Sequence, residues 1–226
     1  MLDDWEMDLS WSAEVFSELV WPILEAELPG RMIHVEAIAR DAYARKFMKD
    51  LDTLAGIDAW HIVDNVGIRG IASRVQECPY PYRPYNTFTI RKNRDSGTKT
   101  EYEKRKQAID SNNGWIFPHL TVQSYVSAKR NGELRSFGVA KTADIINLID
   151  QYNDDGQSSP FVYTKRTTNA EFYVVDWRIN VCQITWPTIE NGATATRMPK
   201  YDKPTPTQHA FDDTFWVSMM EQGPPP

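Results

Sequence analysis

Cysteine is almost missing from this chain. Only Cys78 and Cys182 occur, in no CxxC spacing, so neither a disulfide framework nor a cysteine zinc site is expected. The four histidines, His34, His61, His119 and His209, stand far apart and form no HExxH pattern. Nowhere do eighteen apolar residues run together, and the opening MLDDWEMDLS carries acid where a secretory leader carries positive charge. A soluble, cytoplasmic protein with no membrane partner is the expectation. Positive charge is also in deficit: 25 Lys and Arg face 31 Asp and Glu, a net charge of −6 with a pI near 5.3. That excludes a surface basic all over and leaves room for a local basic groove. No nucleotide-binding glycine loop, Ser-His-Asp order or glycosidase carboxylate pair is visible, which ranks a small-molecule enzyme last.

What the chain does have is enough apolar and aromatic mass for one sizeable core. In 226 residues, 41% are hydrophobic and 12% aromatic, eight of them tryptophan, which predicts one rigidly folded domain. Charge is segregated along the chain. Residues 1–60 hold thirteen acids against five bases, a balance of −8, whereas 83–106 hold eight bases against three acids, a balance of +5. Such runs are most simply solvated faces, and a basic one is also where an anionic partner would sit.

Taken in order, residues 10–28 show helical spacing of Trp11, Val15, Leu19 and Ile23, with Pro22 splitting or kinking the helix. A second amphipathic helix is expected from about 31 to a stop at Gly56, with Ile33, Ala37, Ile38, Ala42, Tyr43, Phe47 and Leu51 on one stripe. The period then turns to that of strands. Ile57–Val63 and Ile68–Gln76 flank Asp64-Asn65-Val66-Gly67, a hairpin, and Thr87–Arg91 makes a third strand after a proline-rich loop. A charged helix from Thr98 follows. Arg130-Asn131-Gly132 marks a second hairpin, Thr142 a helix cap, and 161–165 and 171–186 further strands. The domain reading is an acidic helical segment over 1–30, a mixed α/β domain over 31–186 and an irregular tail over 187–226.

One constellation carries chemistry. Asp58 opens the first strand after Gly56 and Ile57, and Ala72, Arg74 and Gln76 alternate onto one face of the second. This order of elements, with Gly56-Ile57-Asp58 and Ala72-Ser73-Arg74, resembles the core of the PD-(D/E)xK nuclease-like superfamily and its RecB-like hairpin. The likeness covers roughly Glu36 to Val126. It implies a restriction-endonuclease-like αβββαβ core in an α+β mixed sheet. It also implies a divergent metal-dependent nuclease, with Glu36 and Asp58 holding Mg²⁺ or Mn²⁺ and Asp58, Arg74 and Gln76 at the phosphodiester. Two departures stand out: Ala72 occupies the second strand acid's place and Arg74 the lysine's. Arginine grips phosphate bidentately but is a poor proton carrier. A shifted register, with Thr89 and Arg91 in the motif places and Glu77 as nearest acid, puts no acid on either strand and fits less well.

The loss of the second acid supports an alternative. On that reading the chain is a catalytically inactive nuclease-fold subunit of a phage, mobile-element or defence complex. It would bind nucleic acid, or a protein partner through its acidic N-terminal segment. The candidate nucleic-acid surface is Arg91, Lys92, Arg94, Lys99, Lys104 and Arg105, preceded by Tyr80, Tyr82 and Tyr85. Ser96-Gly97-Thr98 with the first turn of the next helix is a further candidate phosphate cradle. Against each functional reading stands a plainer one: Asp58 as a polar strand end, Glu36 as an i,i+4 partner of Arg40, Arg74 and Gln76 as a buried ion pair with its hydrogen-bond partner, and the histidines and tryptophans as core.

Overall fold

A computed structural model describes residues 11–28, 30–35, 46, 54–78, 85–94, 97–111, 114–129, 132–178 and 182–186. Among these the chain is a mixed α/β protein with a mixed sheet, and no helix is long and apolar enough to cross a membrane. Residues 11–27 are helical (α1), but the helix widens to a π-turn over Phe16–Val20 before the α-helical Trp21–Glu27. Pro22 has no N–H to give to the carbonyl four residues back. The wider turn, in which the Trp21 N–H reaches Phe16 O, is how the helix passes it.

Arg31–His34 is a strand (β1), not the first turn of a helix. It lies antiparallel along the free edge of β2 (Ala59–Val63), pairing Arg31 with Ile62 and His34 with Ala59. The expected helix beyond it falls mostly outside the described residues. Its stop is described: Gly56 has φ +68°, the left-handed conformation that ends a helix at low cost to glycine alone. β3 (Gly67–Glu77) returns antiparallel to β2 about a turn in which Asn65 also takes a positive φ.

β4 (Thr87–Arg94) leaves this sheet, α2 (Glu101–Asp110) follows, and the chain re-enters as β5 (Leu120–Val126), parallel to β3. A parallel pair needs such a long crossover. β6 (Leu134–Lys141) closes the second expected hairpin. α3 (Thr142–Asp154) then leads to β7 (Val162–Arg166), β8 (Ala170–Asp176) and β9 (Cys182–Trp186). The large sheet runs β1-β2-β3-β5-β6-β9, and a small antiparallel sheet runs β4-β8-β7. The single strand expected over 171–186 is therefore two, one in each sheet. The break falls at Trp177, whose N–H bonds Asn86 O, and at Arg178, whose N–H bonds Asp176 Oδ1.

α1 covers one face of the large sheet. Phe16, Val20, Leu24 and Leu28 are fully buried there with Ile71, Leu120, Val122 and Phe137. Opposite lies a second core, in which Phe88 and Ile90 of β4 and Tyr173 and Val175 of β8 meet Tyr125 and the α3 residues Ile145 and Ile149. Thr142 does not cap α3 through its side chain; its hydroxyl lies 2.9 Å from that of Thr121 instead.

β4 is the edge strand of the small sheet and meets β3 and β5 of the large one. Its backbone groups facing away from β8 would be orphaned, and buried polar groups rarely stay so. Side chains take them up: Tyr125 Oη donates to Thr87 O (2.8 Å), Arg74 Nη1 to Thr89 O (2.5 Å), Thr89 N to Gln123 Oε1 (3.3 Å) and Arg91 N to Glu101 Oε2 (3.2 Å). This docking of an edge strand by side chains creates the candidate site.

Candidate functional site

Where β4 meets β3, β5 and the start of α2, a hollow of about 220 Å³ opens. Its walls include Asp58 and Arg74 from the first hairpin, Thr89 and Arg91 from β4, Thr121 and Gln123 from β5, and Lys99, Glu101, Lys104 and Arg105 around α2. Asp58 is set just before β2, where its amide donates to Ile71 O and its Oδ2 accepts the Ser73 amide at 2.6 Å. Ala72 and Arg74 follow on one face because strand side chains alternate. Arg74 turns onto β4 and lies 5.5 Å from the Phe172 ring centroid, with Arg91 at the same distance.

Glu101 is the electrostatic centre. Its Oε1 lies 2.7 Å from Arg105 Nη2 and its Oε2 3.5 Å from Arg74 Nη1. Burial pushes its carboxyl up, but Arg105, Arg74, the Arg91 amide and the Arg91 charge outweigh this and hold it below the usual carboxylate range. Arg105, only 5% exposed, also bonds Thr121 Oγ1 at 3.2 Å. Burial draws its guanidinium below the ordinary value, with Glu101 acting the other way.

Of the residues singled out from the sequence, Asp58, Arg74, Arg91, Lys99, Lys104 and Arg105 share this one hollow. Gln76 does not line it; two residues further along β3, it is displaced from the site, and Gln123 from the neighbouring strand stands there instead. Lys92 also lies elsewhere: it pairs with Glu171 at 3.4 Å and sits over Tyr173, on the face of β4 that packs toward α3. Glu36, Tyr80, Tyr82, Ser96 and the side chain of Arg94 lie outside the described residues. Tyr85 packs edge-on against Tyr125. The first turn of α2 is closed by a capping box, in which Thr100 Oγ1 accepts the Glu103 amide and Glu103 accepts the Thr100 amide. Those amides are therefore spent within the chain. Sequence reading passed over Glu101 and Gln123, because an i,i+4 Glu-Arg pair reads as helix surface and a lone strand glutamine carries no signal.

As a donor set the hollow fits an anion. Five cationic side chains face two carboxylates, and both carboxylates already accept donors, Asp58 from Ser73 and Glu101 from two arginines and an amide. A hard cation such as Mg²⁺ would take one or two carboxylates and fill its other positions with water and substrate oxygens. Among the described residues no group of three His, Cys, Asp or Glu is gathered, and of the two expected ligands only Asp58 is among them, since Glu36 lies outside. The volume falls below the roughly 300–1,000 Å³ of small-molecule pockets, so the hollow has room for a small group only.

Compared with known family models, curated proteins and solved structures, the chain matches none.

Proposed function

We propose that this protein binds nucleic acid by seating a backbone phosphate in the hollow, on a nuclease-like scaffold that works without its metal. The observation that carries the reading is the convergence of Arg74, Arg91, Lys99, Lys104 and Arg105 on one small cavity whose two acids are already satisfied. Guanidinium groups held by Glu101, Thr89 and Thr121 are pre-oriented, so little side-chain entropy remains to be lost on binding. The hairpin β2–β3, followed by a crossover and a parallel β5, is what supports a restriction-endonuclease-like αβββαβ core, while the third strand, β4, departs from it by lying in the second sheet. Glu14, Glu18 and Glu25 on the exposed side of α1 suit a basic protein partner in a phage, mobile-element or defence assembly.

The test is fluorescence anisotropy with a labelled oligonucleotide across salt concentrations. Affinity is expected to fall steeply as salt rises, and Arg74→Ala to weaken binding and flatten the slope by about one unit. Binding indifferent to salt, or none, removes the proposal.

A second reading, a divergent metal-dependent nuclease with Glu36 and Asp58 as ligands and Mg²⁺ or Mn²⁺ as cofactor, draws on one observation: Asp58 and Arg74 open onto the same hollow. Metal-dependent cutting of an oligonucleotide, lost in Asp58→Ala, would favour it.

A further inference from the structure

The lining of the hollow ends at β4, but the sheet face that carries Thr89 and Arg91 runs on across β8 and β7. In the small sheet the residues whose side chains share the face of Thr89 and Arg91 are fixed by register. Arg91 stands opposite Phe172 and Phe172 opposite Lys165, while Thr89 stands opposite Val174 and Val174 opposite Tyr163. Along β7 burial alternates: Val162 is 2% exposed, Tyr163 50%, and Lys165 is exposed. The other face, with Phe88, Ile90, Tyr173 and Val175, packs into the core under α3. A half-exposed tyrosine and a lysine therefore share a face with Phe172, the ring that Arg74 and Arg91 both approach at 5.5 Å.

We propose that this face extends the phosphate hollow into a track for a single nucleic-acid strand, with Tyr163 as the platform on which a base stacks and Lys165 facing the next phosphate. The proposal rests on the reading of the hollow as a phosphate site. Tyr163 lies diagonal to Phe172 across β7 and β8, which places it roughly 7–8 Å away. That puts an aromatic face one step beyond the cations that hold the phosphate. Charge and chemistry agree on the occupant: cations Arg91 and Lys165 alternate with the rings Phe172 and Tyr163, as a strand alternates phosphate and base. A duplex keeps its bases stacked on one another and offers none to Tyr163. An acidic peptide would satisfy the cations but leave the tyrosine without a matching planar group.

The experiment compares three labelled probes of equal phosphate count by anisotropy: a single-stranded oligonucleotide, an abasic strand and a duplex. The full chain should bind the single strand roughly tenfold or more tighter than the abasic strand, and more tightly than the duplex. Tyr163→Ala should collapse the ratio between based and abasic strands towards one, while Tyr163→Phe, which keeps the ring, should restore most of it. Equal affinity for based and abasic strands, a duplex bound as tightly as the single strand, or an unchanged ratio in Tyr163→Ala overturns the track and leaves the phosphate site standing. Failure to bind any of the three probes overturns both.

Discussion

Glu101 and Arg105, one helical turn apart on α2, form a 2.7 Å ion pair that points inward, with the arginine side chain buried and the acid's side chain 25% exposed. Arg74 reaches the same carboxylate from β3, at 3.5 Å. The acid thus orders the cations that an incoming phosphate would meet, and in doing so competes with that phosphate.

Two opposite effects follow from Glu101→Gln. Stability should fall by about 1–2 kcal/mol, less than for a fully buried pair because the acid is partly wet. Oligonucleotide affinity should rise, since the hollow loses one negative charge. The pH dependence has a definite sign. The carboxyl titrates lower in the folded protein than in the unfolded chain, so its contribution is fully present above the ordinary carboxylate value of about 4.3 and is lost as pH falls below it. Urea midpoints measured from pH 7 to pH 3 should show a steeper acid loss in the wild type than in Glu101→Gln. Parallel curves would mean that the ion pair contributes nothing.

Gln123 is 1% exposed, and its Oε1 accepts both the Thr89 amide and the Thr89 hydroxyl, at 3.3 and 3.0 Å. Gln123→Leu keeps much of the volume but leaves the edge of β4 without its acceptor. A buried orphan donor costs about 1–3 kcal/mol, and denaturant unfolding should show a loss of that size. Because Arg74 leans on the same threonine, phosphate affinity should drop with it.

Local signals made much of this fold legible. The Asp64 to Gly67 turn, the pairing of β5 with β6, the charged helix after Thr98 and the buried stripe Ile145, Ile146 and Ile149 all appear where their residues place them. Long-range choices did not show. Arg31–His34 is too short for period 2 and period 3.6 to be told apart, and only the free edge of β2 makes it a strand. Nothing within Thr87–Arg94 says that it joins β8 and not β3, a decision taken by Phe88 and Ile90 finding α3. The site follows the same rule. Asp58 and Arg74 were visible because hairpin pairing brings them together, whereas Glu101 and Gln123 arrive through the crossover and the parallel strand.

Gly138 on β6 tests how tightly the two layers fit. A Cβ there would come within 2.6 Å of the Trp177 ring, far inside van der Waals contact, and the indole is itself packed against Phe88 and Tyr125. Gly138→Ala should therefore cost about 1–3 kcal/mol through overpacking. Thermal unfolding should show a lower midpoint, accompanied by a changed tryptophan emission.

Asp58 separates the metal-free and metal-dependent readings more cleanly than any other residue. In the metal-free reading it is a brace: Oδ2 takes the Ser73 amide at 2.6 Å, and the carboxylate only subtracts from the positive field of the hollow. Asp58→Asn keeps an acceptor for that amide and removes the charge, so oligonucleotide binding should persist or tighten. Chelation with EDTA should leave wild-type affinity unchanged, because cationic side chains alone hold the phosphate. A ligand role gives the reverse pattern on both counts. Affinity or cleavage would need Mg²⁺ or Mn²⁺, chelator would abolish it, and Asp58→Asn would lose it even at high metal, since a neutral amide is a far weaker ligand for a hard cation than a carboxylate. Anisotropy and a gel-based cleavage assay on the same preparations, with and without chelator, decide between the two.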